Sequence, residues 1–346
     1  FMEYVRDLDT FFHHLQKAHG LTPERTVVVA HSVGGVVATA WVHDFAPRIV
    51  RGSHIEAPVE VCRMLVPLEG TPRVRVHFDP RPDYARARVE IVPALHGIEV
   101  VGGPMRLYLS TNVPVPYVLD GTAIRIDKPM YFSLSAGRPP EVDSAADAEA
   151  LLKETIRGWR VWAKTCALPS FAAESVLRSA LCLKLHAFNE TGAIIAAATT
   201  SVPEAIGSGR TWDYRFCWLR DAAFVVEALR RLSHLAEGEA FVRFLRDMAD
   251  SGPLQPIYGI TGKRDLHEET LPHLRGYDGV GPVRIGNAAY VQRQHDVDGE
   301  MVLCLETILT DPRVVWEDPT LAPLLEHLVA EAIDSFDKVD TGLWEY

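Results

Sequence analysis

The sequence predicts a mixed, multidomain chain: a short α/β fragment, then a partial antiparallel β-sandwich, then a partial α/α toroid. Three observations predict it. Residues 1–50 hold one strand–turn–helix unit. Residues 51–145 break into short β-branched runs separated by Gly and Pro, the pattern of an antiparallel sandwich. Residues 146–346 hold stretches whose apolar residues recur every three or four positions, the mark of amphipathic helices. Those helices come in pairs with long Gly- and Pro-containing loops at one end, which suits an α/α toroid.

In residues 1–50, Phe1–Gly20 reads as a helix with Tyr4, Leu8, Phe11, Phe12, Leu15 and Ala18 on one apolar face. His13 and His14 on it read as surface residues rather than ligands. Thr26–Ala30 is a short buried strand, His31–Gly35 a turn, and Val36–Asp44 a second helix. That order is the layout of a nucleophile elbow, where small residues flank a Ser so that its backbone can adopt a strained turn. Ala30-His31-Ser32-Val33-Gly34 supplies them. With VVVAHSVGGVVATAWVHDFAP around it, the segment resembles the elbow of a lysophospholipase-like α/β-hydrolase, which implies Ser32 as nucleophile. The triad of that fold continues with an acid and a His on later strands of one sheet. After Val50 no βαβ pattern follows, and His54 and His96 fall on segments of a different character. The plain alternative is a strand–turn–helix remnant, joined near Val50–Ser53 to an unrelated sequence.

In the β-rich part, Val59–Pro67, Val74–Asp79, Val89–Val92, Ile98–Val101, Met105–Ser110 and Thr122–Ile126 read as strands. GTP, DPRP, GG and DG punctuate them as turns. Asp143–Ala146 reads as a linker and N-cap. The helices expected after it are Ala148–Ala163, Ser170–Phe188, Leu219–Leu232, Glu237–Asp250, Asp298–Leu309 and Pro319–Asp337.

The most informative run is Thr211–Asp221, TWDYRFCWLRD, which packs aromatic rings and two Arg and Asp residues into the entry of a helix. Arg220 and Asp221 fall in its first turn, where a carboxylate is favoured by the helix dipole. Flat aromatic faces beside charged groups suit a sugar. The rings cover its C–H face, and the charges hold its hydroxyls by charge-assisted hydrogen bonds. The plain alternative is a packed helix start with a structural ion pair.

TWDYRFCWLRDAAF resembles the signature of glycoside hydrolase family 15, which includes glucoamylases, glucodextranases and bacterial trehalase-like enzymes. Further similar blocks follow in order: TGAIIAAATTSVPEAIG, LQPIYGITG, PHLRGYDGVGPVRIGNAA and DTGLWEY. VPLEGTPRVRVHFDPRPDYARA resembles the later part of the N-terminal sandwich of bacterial members. The resemblance covers about residues 52–346. It implies three segments: 1–50 as the α/β-hydrolase-like fragment, 51–145 as the partial sandwich, and 146–346 as part of a toroid of six helical hairpins around a funnel.

It also implies chemistry. Two carboxyl groups cleave a glycosidic bond. In the inverting version one protonates the leaving oxygen and the other activates water, standing about 6.5–9.5 Å away to leave room for it. GLWEY resembles the motif that carries the general acid, which makes Glu345 that acid. Trp344 would shield the carboxyl and raise its pKa. Arg220 and Asp221 would grip the sugar on the non-reducing side of the bond, with Tyr214 and Trp218 lining the pocket. AAYVQRQHDVDGE occupies the region of a further binding loop, without singling out Tyr290 or Gln294. The general base lies in the family beyond Tyr346, and no motif supports Asp213 or Glu269 as a substitute. The 346 residues alone are therefore expected to turn over little, since general-base assistance contributes about 10²–10⁴-fold.

Composition narrows the rest. Apolar content of 47% and charged content of 23% are ordinary for a globular chain. A net charge of −11 without a Lys/Arg block argues against nucleic acid or an anionic membrane as partner. No apolar run is long enough to span a bilayer. FMEYVRDLDTFFHH lacks the layout of a signal peptide, and a start on Phe1 reads as part of a longer chain. Cys62, Cys166, Cys182, Cys217 and Cys304 are odd in number and lack a CxxC, which fits a reduced cytoplasm. The acidic run Asp296–Glu300 lacks the offsets of a calcium loop, Cys and His are scattered, and neither Gly34-Gly35 nor Gly102-Gly103 is a phosphate loop. No metal and no cofactor is expected. The partner expected is an α-glucoside, trehalose or an α-glucan oligosaccharide. The alternatives are a serine esterase or lysophospholipase acting through Ser32, and a non-catalytic fusion fragment.

Overall fold

A computed structural model describes residues 49–51, 54–56, 59–95, 97–314 and 318–342. His13, His14, Ser32, His96, Trp344 and Glu345 lie outside the described residues, and with them the nucleophile elbow and the general acid. The chain divides into two compact units, the first ending at Val161 and the second opening at Trp162.

In the first unit, β1 (Ile49–Arg51) pairs antiparallel with β2 (His54–Glu56). Next come β3 (Glu60–Leu65), β4 (Arg73–Val74), β5 (Glu90–Ala94), β6 (Gly97–Val101), β7 (Leu107–Thr111), the short helix α1 (Val115–Leu119), β8 (Ile124–Arg125) and β9 (Met130–Ala136). Five of these strands form one antiparallel sheet in the order β3-β9-β7-β6-β5, and β4 pairs with β8 apart from it. The expected second sheet of a sandwich is represented among the described residues by that β4–β8 pair. Strand β9 is absent from the sequence reading, yet it lies between β3 and β7. Its side chains alternate as a strand should: Met130, Phe132 and Leu134 join the core of Ile98, Leu109, Val118, Ile124 and Ile126. Tyr131, on the other face, packs with Val142 and Ala148.

Helix α2 (Ala145–Lys164) follows. Ser144 begins it with a capping box: its hydroxyl accepts the Asp147 backbone N–H at 3.1 Å and donates to the Asp147 carboxylate. Glu60 is buried at 3% exposure, and its carboxylate is fully used. It accepts from Ser133 Oγ at 2.5 Å, Glu141 N at 2.8 Å and Val142 N at 3.1 Å, so the charge holds β3, β9 and the approach to α2 together.

The second unit holds α3 (Ala173–His186), α4 (Leu219–Arg231), α5 (Ala236–Asp250), α6 (Asp296–Leu309) and α7 (Leu321–Ser335). Each lies within three residues of its expected limits; α4, α5, α6 and α7 each bury one apolar stripe, whereas α3 buries Ala180 alone. Val226 of α4, Phe241 and Leu245 of α5, Met301, Leu305 and Ile308 of α6, and Leu324 and Leu328 of α7 share one core. Helices α4 and α6 lie side by side, with α5 against α4 and α7 against α6. A buried polar cluster ties the start of this unit to α3 and α5. Lys184 Nζ stands 2.8 Å from Glu237 Oε1, which also accepts from Trp162 Nε1 at 3.2 Å. The Trp162 ring stacks on His234 at 4.0 Å.

The loops before α4 and α6 are long and are organised as short ladders. Residues 196–201 run against 212–216. Then β10 (Cys217–Trp218) pairs with β11 (Ile257–Tyr258), and β12 (Glu269–Thr270) with β13 (Arg284–Ile285). Among the described residues no helix is long and apolar enough to cross a membrane, and no group of His, Cys, Asp and Glu could hold a metal ion.

Candidate active site

The ladder of residues 211–218 leads into α4 at Leu219, with Trp218 as its N-cap residue. Residues of an extended run alternate sides. Thr211, Asp213 and Cys217 point inward with at most 1% exposure, while Trp212, Tyr214 and Phe216 are half-buried. Asp213 is saturated rather than poised as a base. Its carboxylate accepts from Arg215 N and Nε at 3.2 and 2.8 Å, from Arg215 Nη2 at 2.7 Å and from Gly286 N at 3.2 Å. Gly286 is required there: φ is +74°, and a Cβ would lie 2.0 Å from the His267 carbonyl oxygen. Asp213 thus pins the 266–289 loop to the aromatic run. Glu269 lies on the exposed strand β12.

Trp218 is 4% exposed and packs with Ile257, Leu266 and Ala289. The Tyr214 ring lies 5.7 Å from it, tilted by 45°, and the Tyr214 hydroxyl donates to Glu204 Oε1 at 3.0 Å. Trp218 therefore supports the wall on which Tyr214 lies, rather than offering an open face itself.

Arg220 and Asp221 occupy the first turn of α4. A cation at a helix N-terminus is disfavoured by the helix dipole, and its partner comes from the neighbouring helix. Arg220 Nη1 donates to Asp296 Oδ2 at 2.8 Å, in the first turn of α6, and to Gln294 Oε1 at 3.0 Å. Gln294 is 5% exposed, and its amide donates to Gln292 Oε1 at 2.8 Å. The Nε and Nη2 of Arg220 make no hydrogen bond among the described residues, leaving planar donors for a ligand. Asp296 Oδ1 is buried, also without a hydrogen-bond partner among them. Burial pushes the Asp221 carboxyl above its ordinary value, and the Arg220 charge only partly offsets this. The ion pair of this site is thus Arg220–Asp296, not Arg220–Asp221.

Segment 292–296 has a second set of contacts. Thr341 N donates to Arg293 O at 2.9 Å, and Arg293 N donates to Thr341 Oγ1 at 3.3 Å. His295 N donates to Asp340 Oδ2 and Gly342 N to Asp340 Oδ1, both at 2.9 Å. Residues 340–342 are therefore tied to the segment that fixes Arg220.

Of the residues expected at the site, the structure brings Tyr214 against Trp218 and sets Arg220 and Asp221 in the first turn of α4. Trp344, Glu345 and Ser32 are outside the described residues. Sequence reading missed Asp296 and Asp340 and left Gln294 unassigned. The acidic run at 296–300 was a visible signal, though not for a metal.

Residues 170–346, just over half of the chain, match the family described as Glycosyl hydrolases family 15. Residues 1–67 match the family described as Serine aminopeptidase, S33, a match that runs past the junction expected near Val50–Ser53. The chain is 39% identical over 223 residues to the trehalase of Mycolicibacterium smegmatis, covering 62% of this chain and 33% of the relative. It is 36% identical over 251 residues to the trehalase of Mycobacterium tuberculosis, covering 69% and 36%. It is 32% identical over 316 residues to the trehalase of Thermoplasma acidophilum, covering 88% and 52%. The chain thus spans from a third to about half of the length of these curated relatives. No solved structure matches it.

Proposed function

The chain belongs to glycosyl hydrolase family 15, and from that membership we propose that it hydrolyses the terminal α-linked glucose of trehalose, exo-acting and with inversion. The observation that carries this reading is the double attachment of segment 292–296. Its side chains hold Arg220, and its backbone holds the segment that leads to Glu345. In this reading the sugar grip and residues 340–342, which precede the general acid in sequence, meet on the same five residues. The names of the similar trehalases favour trehalose over longer α-glucans.

In this reading Arg220 donates from Nε and Nη2 to the hydroxyls of the terminal glucose, and Asp221 accepts from them. Tyr214 covers a C–H face. Glu345 protonates the glycosidic oxygen, and Trp344 keeps that carboxyl protonated near neutral pH. Water attacks from the opposite face, activated by a second carboxylate. No described residue is assigned to that role, and Asp213 is fully engaged elsewhere. Helices α4 and α6 belong to the inner ring of a six-hairpin toroid, and α5 and α7 to the outer. The five free cysteines support a reducing compartment such as the cytoplasm.

The test is glucose release by the purified chain from trehalose, maltooligosaccharides and isomaltooligosaccharides, beside Glu345→Gln, with and without azide as external nucleophile. Trehalose turnover that azide raises and Glu345→Gln removes is the expected result. Equal turnover by wild type and variant would overturn the assignment. A second reading, ester hydrolysis through Ser32, is favoured by the match over residues 1–67. Cleavage of p-nitrophenyl acetate that disappears in Ser32→Ala would support it.

A further inference from the structure

We infer that the exposed face of the β4–β8 ladder is a docking surface for an acidic polypeptide segment, read by Arg73, Arg75 and Arg125. The surface lies in the first unit and does not depend on the glycosidase reading. Strand β4 pairs with β8 so that Arg73 stands directly opposite Arg125, and Val74 opposite Ile124. Along residues 73–79 exposure alternates as in an extended chain. Val74, Val76 and Phe78 pack against the apolar core, while Arg73, Arg75 and His77 are exposed. Arg125 is exposed between buried Ile124 and Ile126.

Opposed residues of an antiparallel ladder have Cα atoms about 4.5–5.5 Å apart, and like charges placed so are destabilising. Elsewhere in the same unit Arg81, Arg86, Arg106 and Arg138 each have a carboxylate close by, at 2.7, 2.7, 3.7 and 3.2 Å. Arg73, Arg75 and Arg125 form no ion pair among the described residues. Asp79, which ends the exposed row, is held by Arg81 at 2.7 Å, and Asp127, two residues past Arg125, pairs with none of the three. The face therefore presents three uncompensated guanidiniums whose repulsion a bound carboxylate would relieve.

The spacing selects the anion. A guanidinium grips a carboxylate bidentately. Residues two apart in an extended chain lie about 6.6–6.8 Å apart, so an extended peptide with acidic residues at alternate positions repeats at the interval of Arg73 and Arg75. Recognition of acidic motifs by arginine clusters is a recurring mode. Positions 73, 75, 77 and 125 carry no Phe, Tyr or Trp on which a base could stack and no apolar side chain to enter a membrane.

The test is fluorescence anisotropy with the 346-residue chain at low salt and two labelled hexapeptides of equal charge, Glu-Ser-Glu-Ser-Glu-Ser and Glu-Glu-Glu-Ser-Ser-Ser. The alternating peptide is expected to bind more tightly, and added salt to weaken it. Arg73→Gln, Arg75→Gln and Arg125→Gln should each weaken it about three- to fivefold, the size of one exposed ion pair. Arg81→Gln, whose guanidinium is already paired, should leave it unchanged. Arg125→Gln should also raise the thermal midpoint of the free chain, since it removes one of two opposed charges. No binding would leave the arginines as guards against strand pairing and overturn the inference. Equal affinity for the two peptides, an equal loss in Arg81→Gln, or a midpoint that falls in Arg125→Gln would overturn it as well. Tighter binding of an oligothymidylate or of phosphatidylserine vesicles than of the peptide would assign the face to those partners and overturn it too.

Discussion

Asp296 offers the sharpest test of how the site is built. Its carboxylate lies 2.8 Å from Arg220 Nη1, with 20% and 24% of the two side chains exposed. A hydrogen bond to a charged group contributes about 1.5–3 kcal/mol, and partial exposure places this one near the lower end. Gln294 still holds the guanidinium when Asp296 is gone. Asp296→Ala is therefore expected to weaken glucose binding about tenfold, since about 1.4 kcal/mol corresponds to a factor of ten. Asp296→Asn keeps an acceptor and loses only the charge, so a few-fold loss is expected. Both variants also lose a carboxylate from the first turn of α6, costing about 0.3–1 kcal/mol of stability. For a unit of this size that lowers Tm by about 1–4 °C. Calorimetric titration beside a thermal melt separates the two effects. Unchanged glucose affinity in Asp296→Ala, with only that small drop in Tm, would refute the role given to the ion pair.

Further predictions concern the body of the second unit. Lys184→Met strands the buried Glu237 carboxylate and should cost about 3–5 kcal/mol, read as a lowered urea midpoint. In the wild type, burial raises the Glu237 pKa, but Lys184 together with the backbone and Trp162 hydrogen bonds outweighs it, so the folded value lies below the ordinary 4.5. Its contribution is present above that value and lost as pH falls through the folded pKa. In Lys184→Met the Trp162 and backbone hydrogen bonds remain but are expected no longer to outweigh burial, and stability should instead fall as pH rises. Gly192→Ala should destabilise more than an ordinary surface change, because φ is +86° and a Cβ would meet the Ala240 carbonyl oxygen at 2.1 Å; thermal melting checks it. Maleimide should label Cys182 first. It is exposed, and His186 and Arg178 hold its thiol below the ordinary value. Burial pushes Cys217 and Cys304 up to about 12, so peptide mass mapping should find both unlabelled in the folded chain.

The helices were legible because their signal is local. The stripe Leu219, Ala222, Ala223, Val226 and Leu229 is fully buried or nearly so, and such a stripe shows its period in sequence. Strand β9 was not legible for the same reason reversed. Met130, Phe132 and Leu134 mark only one side of it; Ser133 and Ser135, on the opposite side with Tyr131, read as solvent-facing, yet both are buried with their hydroxyls bonded, Ser133 to Glu60 and Ser135 to Arg138 O. At the site, Arg220 and Asp221 stood out as neighbours in one motif, which suggested that they pair with each other. The actual partner of Arg220 is 76 residues away. Nothing in a single sequence encodes that distance, and Asp296 looked like part of an acidic run. Asp340 was hidden similarly: its bonds are to backbone N–H groups, which every non-proline residue carries.

Among the described residues Asp221 forms no ion pair, and this bears on binding. Arg220 directs its Nη1 to Asp296 and Gln294, so Asp221 is left half-buried, with its pKa raised by burial above the ordinary 3.8. For such a group stability is fully present below the ordinary value and is lost as pH rises through the folded pKa. The folded apo site therefore carries a carboxylate whose charge is poorly solvated. Sugar hydroxyls that donate to it favour the ionised form and lower its pKa. Glucose binding should consequently release protons in a window above pH 3.8, around the raised pKa of the free site, and the release should vanish at any pH where the free carboxyl is ionised before the sugar arrives. Calorimetry in buffers of different ionisation enthalpy measures that proton count directly. Asp221→Asn, which cannot ionise, should abolish the release while weakening binding. Proton uptake on binding, or release that persists in Asp221→Asn, would show that another group meets the sugar and would remove Asp221 from the grip.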